Sequence, residues 1–444
     1  MIGKDPQAQR DLQTFLVRLG AAMNAAGEPV QSVQDRLTRA AHAYGADSAR
    51  ISAFPTYMLL AIAQEEPVTI ELTTALTPSR LDQISALDRL VQDAERAALD
   101  PVVGLRRLEE IREMRPRFGP LLSIIGNAVL ALGICLVLHP SPRNVVAAAA
   151  FGAIVGLLRS WERNRSLQIL VPIIAAFAVA ALSALAVKHG LTGPGLRAMV
   201  ASLVVFLPGA AMTTAVLELA AGQMVSGSAR LVWGVMQLAL LAFGILAGIE
   251  AVGVPSSSVF AGSHEVLGSW APWLGVLVFA VGVTVAYSAP ARSFPALVVV
   301  LYAAWGGQVA GNAIFGIYVS AFVGAFVMTP VAYWIGRLPS AMPQYASFLP
   351  GFWLLVPGAL GLIGLTELAG DAGAAGVRDL AATVVSILAV ALGVLCGTLV
   401  VTAAGATGWL AVPTSYGDRP PRPGGGLRRG RGDSPDSSPD GDPS

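Results

Sequence analysis

The 444 residues are 54% hydrophobic and 13% charged, with a net charge of +1 and a mean hydropathy of +0.64. Ordinary soluble domains carry roughly 25% charged residues, so the composition places the chain among membrane proteins. The few charges gather towards the two ends, so no basic face is available to track a nucleic-acid backbone, and nucleic acid is excluded as a partner.

The first residues, MIGKDPQAQRD, lack the apolar core and small-residue cleavage site of a secretory signal, so insertion is expected to use internal helices. Residues 8–118 are mixed in polarity and read as a cytoplasmic α+β domain. Phe15, Leu16, Leu19, Ala22 and Met23 keep helical spacing. Pro29 opens a second helix, with Val30, Val33, Leu37 and Tyr44 on one face and Gly45 as its stop. The stretch RISAFPTYMLLAIAQEEPVTIELTTAL predicts short strands around a Glu-Glu-Pro turn, because polar residues interrupt it on both sides. Two more helices follow, the last with Asp100 as N-cap and Pro101 at its first position.

From Pro120 onward, apolar segments long enough to cross about 30 Å of hydrocarbon succeed one another. The pattern predicts ten spans, at 120–138, 144–158, 167–187, 198–221, 231–253, 270–288, 294–309, 312–335, 346–369 and 380–411. Lys and Arg in the short loops set the orientation. With the N-terminus cytoplasmic, Arg112, Arg115, Arg117, Arg159, Arg163, Arg165, Arg230, Arg292 and Arg337 fall inside, and Arg143, Lys188, Arg197 and Arg378 fall outside. Both termini are therefore expected in the cytoplasm, with the chain in the inner membrane. Residues 413–444, rich in Pro, Gly, Ser, Asp and Arg, read as a disordered cytoplasmic tail.

The fourth and ninth spans carry LPGAAMTTAVLELA and VPGALGLIGLTELA, so that Pro208-Gly209 and Glu218 lie 149 positions before Pro357-Gly358 and Glu367. The same offset brings Gly126 onto Gly275, Gly133 onto Gly282, Arg143 onto Arg292, Phe177 onto Phe326, Gly227 onto Gly376, Gly244 onto Gly393 and Gly248 onto Gly397. These residue types are scarce or positionally special in membrane helices, and no gap is needed. The reading is of two five-helix repeats, at 119–253 and 254–412. An odd number of spans per repeat makes the second inverted relative to the first. Inverted repeats are common in secondary transporters, whose substrate site lies at mid-membrane between discontinuous helices.

Pro208-Gly209 and Pro357-Gly358 fall about 15 Å into their spans, and each is able to split its helix in two. The second half-helix then points free N–H groups and the positive dipole end at the centre, an arrangement suited to the carboxylate of a zwitterionic amino acid. Either motif read alone is equally a kink relieved by neighbouring backbone; the paired occurrence favours function. Pro350-Gly351 is read as a further break in the ninth span. Thr213, Thr214 and Thr366, with Gln308 and Asn312, are candidates to hydrogen-bond a hydroxyl-bearing substrate or to bond between helices. Glu218 and Glu367, near opposite span ends, read as proton-coupling or gating carboxylates, or else as interfacial groups reaching headgroup water. Gly244, Gly248, Gly393 and Gly397 form two GxxxG pairs for close helix packing. Cys135 and Cys396 sit in apolar runs, the histidines are scattered, and no metal, nucleotide or nucleophile motif stands out. No cofactor and no enzymatic activity are expected.

Residues 10–410 resemble the threonine/serine exporter family. The resemblance rests on LVRLGAAMNAAGEPVQSVQDRLTRAAHAYG, SAFPTYMLLAI and LRRLEEIREM in the N-terminal part, and most strongly on FLPGAAMTTAVLELAAGQMVSGSARL and FLPGFWLLVPGALGL in the membrane part. It implies ten spans and export of threonine and serine driven by the proton-motive force. The expected partners are small zwitterionic amino acids, protons and the bilayer, and the sequence leaves a homo-oligomer open. Two other readings remain: a channel with a regulatory N-terminal domain, and an intramembrane enzyme, for which the spans offer almost no acid, base or nucleophile.

Overall fold

A computed structural model describes the chain over residues 6–62, 69–72, 80–138, 141–163, 167–191, 195–255, 258–259, 267–338, 341–355, 362, 366 and 373–403. The predicted Glu-Glu-Pro turn, Pro357, Gly358, Glu367 and the 413–444 tail lie outside these residues.

The N-terminal part is built from α1 (Pro6–Ala25), α2 (Val30–Ala43), strands β1 (Arg50–Ala53), β2 (Tyr57–Ala61) and β3 (Thr69–Leu72), α3 (Leu81–Glu95) and α4 (Pro101–Glu113). The expected caps are in place. Asp100 accepts a hydrogen bond from the Val102 amide at the start of α4, and Gly45, at φ +84°, takes the left-handed turn just past α2. The three strands form an antiparallel sheet in the order β1-β2-β3. Met58 and Leu60, alternating along β2, are buried. Gly20 lets α1 lie directly on Met58, whose side chain occupies the space a Cβ would need. Phe15, Leu16, Leu19 and Met23 of α1 complete this core with Val33 and Leu37 of α2 and Leu87 and Val91 of α3.

The membrane part comprises α5 (Pro120–Val137), α6 (Pro142–Arg159), α7 (Leu170–Lys188), α8 (Leu196–Leu203), α9 (Gly209–Ala220), α10 (Met224–Val252), α11 (Ala271–Ala286), α12 (Phe294–Phe315), α13 (Ile317–Gly336), α14 (Gln344–Leu355) and α15 (Gly373–Ala403). Among the described residues, seven helices are long and apolar enough to cross a membrane. Two of these begin about seven residues earlier than the sequence predicts, α10 at Met224 and α15 at Gly373. The pair Leu196–Phe206 and Gly209–Ala220, bent by 58°, passes the same test together and is either an eighth, broken span or a re-entrant loop. The sixth predicted span is the shorter apolar helix Ala271–Ala286, and the ninth is described only as α14 with Leu362 and Thr366. The chain is a polytopic membrane protein. The expected break at Pro350-Gly351 is corrected: α14 runs through Pro350. Gly351 gives the space next to it to the Met328 sulfur, so this segment is packed as a continuous helix.

Glycine controls how closely these helices approach. A Cβ on Gly244 would meet the Ile173 carbonyl, the Ala176 Cβ and the Phe177 amide, and a Cβ on Gly393 would meet the Phe322 carbonyl, the Ala325 Cβ and the Phe326 amide. Each second contact lies 149 positions after the first. Gly248 against Phe177 and Ala180 is likewise repeated by Gly397 against Phe326 and Thr329. The packing of α10 on α7 thus recurs, residue for residue, in α15 on α13. Between α5 and α11 the glycine contacts are reciprocal. Gly126 lies on Ala286 while Gly275 lies on Val137, and Gly133 lies on Phe279 while Gly282 lies on Leu130. Residue numbers rise along one helix as they fall along the other, so the two run antiparallel.

Candidate functional site

The break in the fourth span begins where α8 tightens into a 3-10 turn at Val204–Phe206. Leu207 is extended and Pro208 caps the next helix at φ −79°, ψ 23°. Proline has no N–H to continue the ladder, and Gly209 restarts it, so α9 opens inside the span. The Met212 amide bonds to the Pro208 carbonyl at 2.8 Å; the N–H groups before it have no intrahelical acceptor. One turn in, Thr213 is fully buried and its hydroxyl has no hydrogen-bond partner. Thr214 beside it is also buried. The same face of α9, one turn further on, carries Leu217 into a cluster with Val300 and Ala304 of α12, Phe348 and Phe352 of α14 and Val390 of α15. The broken helix therefore lies against the second set of membrane helices.

Of the other predicted polar residues, Thr366 is fully buried and donates to the Leu362 carbonyl at 2.7 Å. The side-chain carbonyl of Gln308 and the indole N–H of Trp305, one turn apart on α12, are buried without partners. Asn312 is exposed. Pro357, Gly358 and Glu367 lie outside the described residues.

Glu218 does not reach water; it is 2% exposed. Both its oxygens accept from Arg230 Nε at 3.1 Å, and Oε1 also accepts from the Val30 amide, the first of α2, at 3.0 Å. Arg230 Nη2 donates to the Glu28 carbonyl at 3.2 Å. The phenol of Tyr345, at the start of α14, donates to the Ala26 carbonyl at 2.7 Å. A second junction lies nearby, where the Leu81 amide of α3 donates to the Tyr287 carbonyl at 3.1 Å. The Tyr287 ring carries the Arg159 guanidinium at 4.8 Å and meets Trp353 at 5.0 Å. Apart from Trp353, which lies inside the ninth predicted span, the membrane residues in these contacts belong to span ends or loops that the Arg count assigns to one side.

The Glu28 side chain is buried, with Arg36 at 3.6 Å and Oε2 without a partner. Arg36 is shared with Asp88 at 2.7 Å and Glu95 at 3.3 Å. Burial pushes the Glu28 carboxyl up to about 7, against the pull of Arg36 and with help from Asp88 and Glu95. Sequence reading missed this cluster, and it missed Arg230 as the partner of Glu218, having counted Arg230 as a loop charge. The available signal was the spacing: Gly222, at φ +79°, turns the chain back between α9 and α10, which places the two side chains face to face.

Among the described residues, no group of three or more His, Cys, Asp or Glu could hold a metal ion. No curated protein and no solved structure matches the chain. Residues 14–252, more than half of the 444, match the family model ThrE, described by threonine/serine export, and the match ends at the last residue of α10. The chain, with its N-terminal helices and sheet followed by a broken fourth span, belongs to the threonine/serine exporter family.

Proposed function

We propose that the protein is a secondary active exporter of small amino acids, L-threonine and L-serine, driven by the proton-motive force across the inner membrane. The observation that carries this reading is the opening of α9 inside the bent fourth span, with the buried Thr213 hydroxyl unpartnered one turn along. Free N–H groups and the positive end of the helix dipole suit a carboxylate, and a hydroxyl beside them suits a hydroxylated side chain. Pro208, Gly209, Thr213 and Thr214 form the first-half portion of the site, and Pro357, Gly358 and Thr366 its second-half portion.

The proposed architecture is ten spans in two inverted five-helix repeats, following a cytoplasmic N-terminal domain. Reciprocal contacts between antiparallel α5 and α11 support it, because two antiparallel helices interchange by a two-fold axis only when that axis is perpendicular to both. For spanning helices such an axis lies in the membrane plane. Glu218 and Glu367 are proposed as the gating and proton-coupling carboxylates at opposite ends of the pathway. A proton on Glu218 neutralises the partner of Arg230 and weakens that pair, which links proton arrival to movement at this end.

Uptake into inverted membrane vesicles tests the reading. Threonine and serine should accumulate when a proton gradient is imposed and exchange by counterflow without one. Flux without counterflow would indicate a channel, and no uptake above vesicles lacking the protein would refute the proposal.

A further inference from the structure

Three contacts from the membrane helices converge on one short segment, Ala26–Val30, between α1 and α2. Glu218 of α9 holds the Val30 amide, Arg230 of α10 holds the Glu28 carbonyl, and Tyr345 of α14 holds the Ala26 carbonyl. The first two lie in the first set of five spans and the third in the second set. Backbone groups are used at all three points, so the segment's path, more than its side chains, is what the membrane helices grip. Gly27 is needed twice over: its φ is +87°, and a Cβ would meet the Tyr345 hydroxyl at 2.5 Å.

We propose that Ala26–Val30 is a strap that ties the two membrane halves together on the side facing the N-terminal part, and that it must release from Tyr345 for the pathway to open on that side. The inference rests on the transporter reading for its functional consequence, since alternating access moves one half against the other. A segment hydrogen-bonded to both halves resists that motion. The membrane helices hold its backbone through three hydrogen bonds, backed by the Arg230–Glu218 ion pair, while the Ala26 and Val30 side chains are buried in the hydrophobic core. Arg230 is the hub, because its guanidinium binds Glu218 and the Glu28 carbonyl at once; the loss of either partner loosens the entry to α2.

The test links the strap in place. In full-length protein in inverted vesicles, Ala26→Cys and Tyr345→Cys are joined by a short bis-methanethiosulfonate reagent, with each single variant as control, and the linked peptide is quantified by mass spectrometry. We expect linkage, at least a tenfold loss of threonine and serine transport in the linked protein, and recovery when a thiol cleaves the link. Adding Arg230→Gln should lower the linkage yield several-fold, because the strap, no longer held at the Glu28 carbonyl, then leaves position 345 more often. Tyr345→Phe keeps the ring and removes one bond, so it should fold and transport without linkage being involved. Transport by the linked protein at the unlinked rate, or failure to link, would overturn the proposal. If the unaltered chain accumulates neither amino acid, the transport reading fails, while the linkage yield and its response to Arg230→Gln still decide whether the strap bridges the halves.

Discussion

Gly133 and Gly282 occupy equivalent positions in the antiparallel α5–α11 contact, one against Phe279 and the other against Leu130, so the same substitution at either should do the same damage. A Cβ at Gly133 would sit 2.6 Å from the Phe279 Cα, and one at Gly282 would sit 2.5 Å from the Leu130 Cα. Ordinary contact begins at 3.4 Å, and backbone atoms of a packed helix have no rotamer by which to yield. The helices must separate locally by about 1 Å, which forfeits a quarter to a half of the dispersion energy of the atoms that part. Overpacking of this kind costs about 1–3 kcal/mol, and we expect the upper end for Gly133→Ala and Gly282→Ala alike. Gly306 supplies the opposite sign: it lies within α12 with nothing within 4 Å of its would-be Cβ. There, Ala should be neutral or stabilise by about 0.5–1 kcal/mol through helix propensity. Thermal unfolding of the three variants in one detergent measures this. Losses of roughly 5 °C at both tight positions, equal within error, are expected, with none at Gly306. An unchanged midpoint for Gly133→Ala, or a large difference between the two tight sites, would refute the packing and its reciprocity.

Glu28 ties stability to pH. Its carboxyl is raised from 4.5 to about 7 in the folded chain, so the folded state binds the proton more tightly and stability is greatest below pH 4.5. It falls as pH rises through 7, by about 3 kcal/mol in all. Glu28→Gln should abolish that fall between pH 5 and 8, and an equal fall in variant and parent, read by thermal unfolding, would exclude Glu28 as its source. Thr213→Val keeps the shape of the buried side chain and removes an unpartnered hydroxyl, so stability should hold or rise. The half-saturating concentration for threonine should meanwhile increase about two- to tenfold, the worth of one hydrogen bond; unchanged transport would remove Thr213 from the site. For orientation, a cysteine at Ser160 should be protected from an impermeant reagent added outside intact cells, whereas one at His189 should react. The reverse pattern would invert the topology.

What the sequence determined alone was local or periodic. Apolar runs located the membrane helices, because the bilayer imposes a minimum length that composition alone satisfies. Asp100-Pro101, Pro29 and Gly45 marked helix ends in the N-terminal part, where a missing N–H or a positive φ acts within a few residues. Pro208-Gly209 announced the bend by the same chemistry. The 149-residue offset named glycine pairs whose contacts prove to be copies of one another. Pro350 shows the limit of such rules: α14 continues through it. Only the tertiary structure decided what the charged and polar groups do. Glu218 looked like a lone intramembrane carboxylate, yet Arg230 lies beside it once Gly222 turns the chain, and the Val30 amide reaches it from 188 positions away. Tyr345 reaches Ala26 across 319 positions, and Glu28 is buried only because α2 and α3 bring Arg36, Asp88 and Glu95 around it. Hydrophobic burial repeats along an element and leaves a period in the sequence, whereas a hydrogen bond between distant elements fixes one donor and one acceptor and leaves no pattern at all.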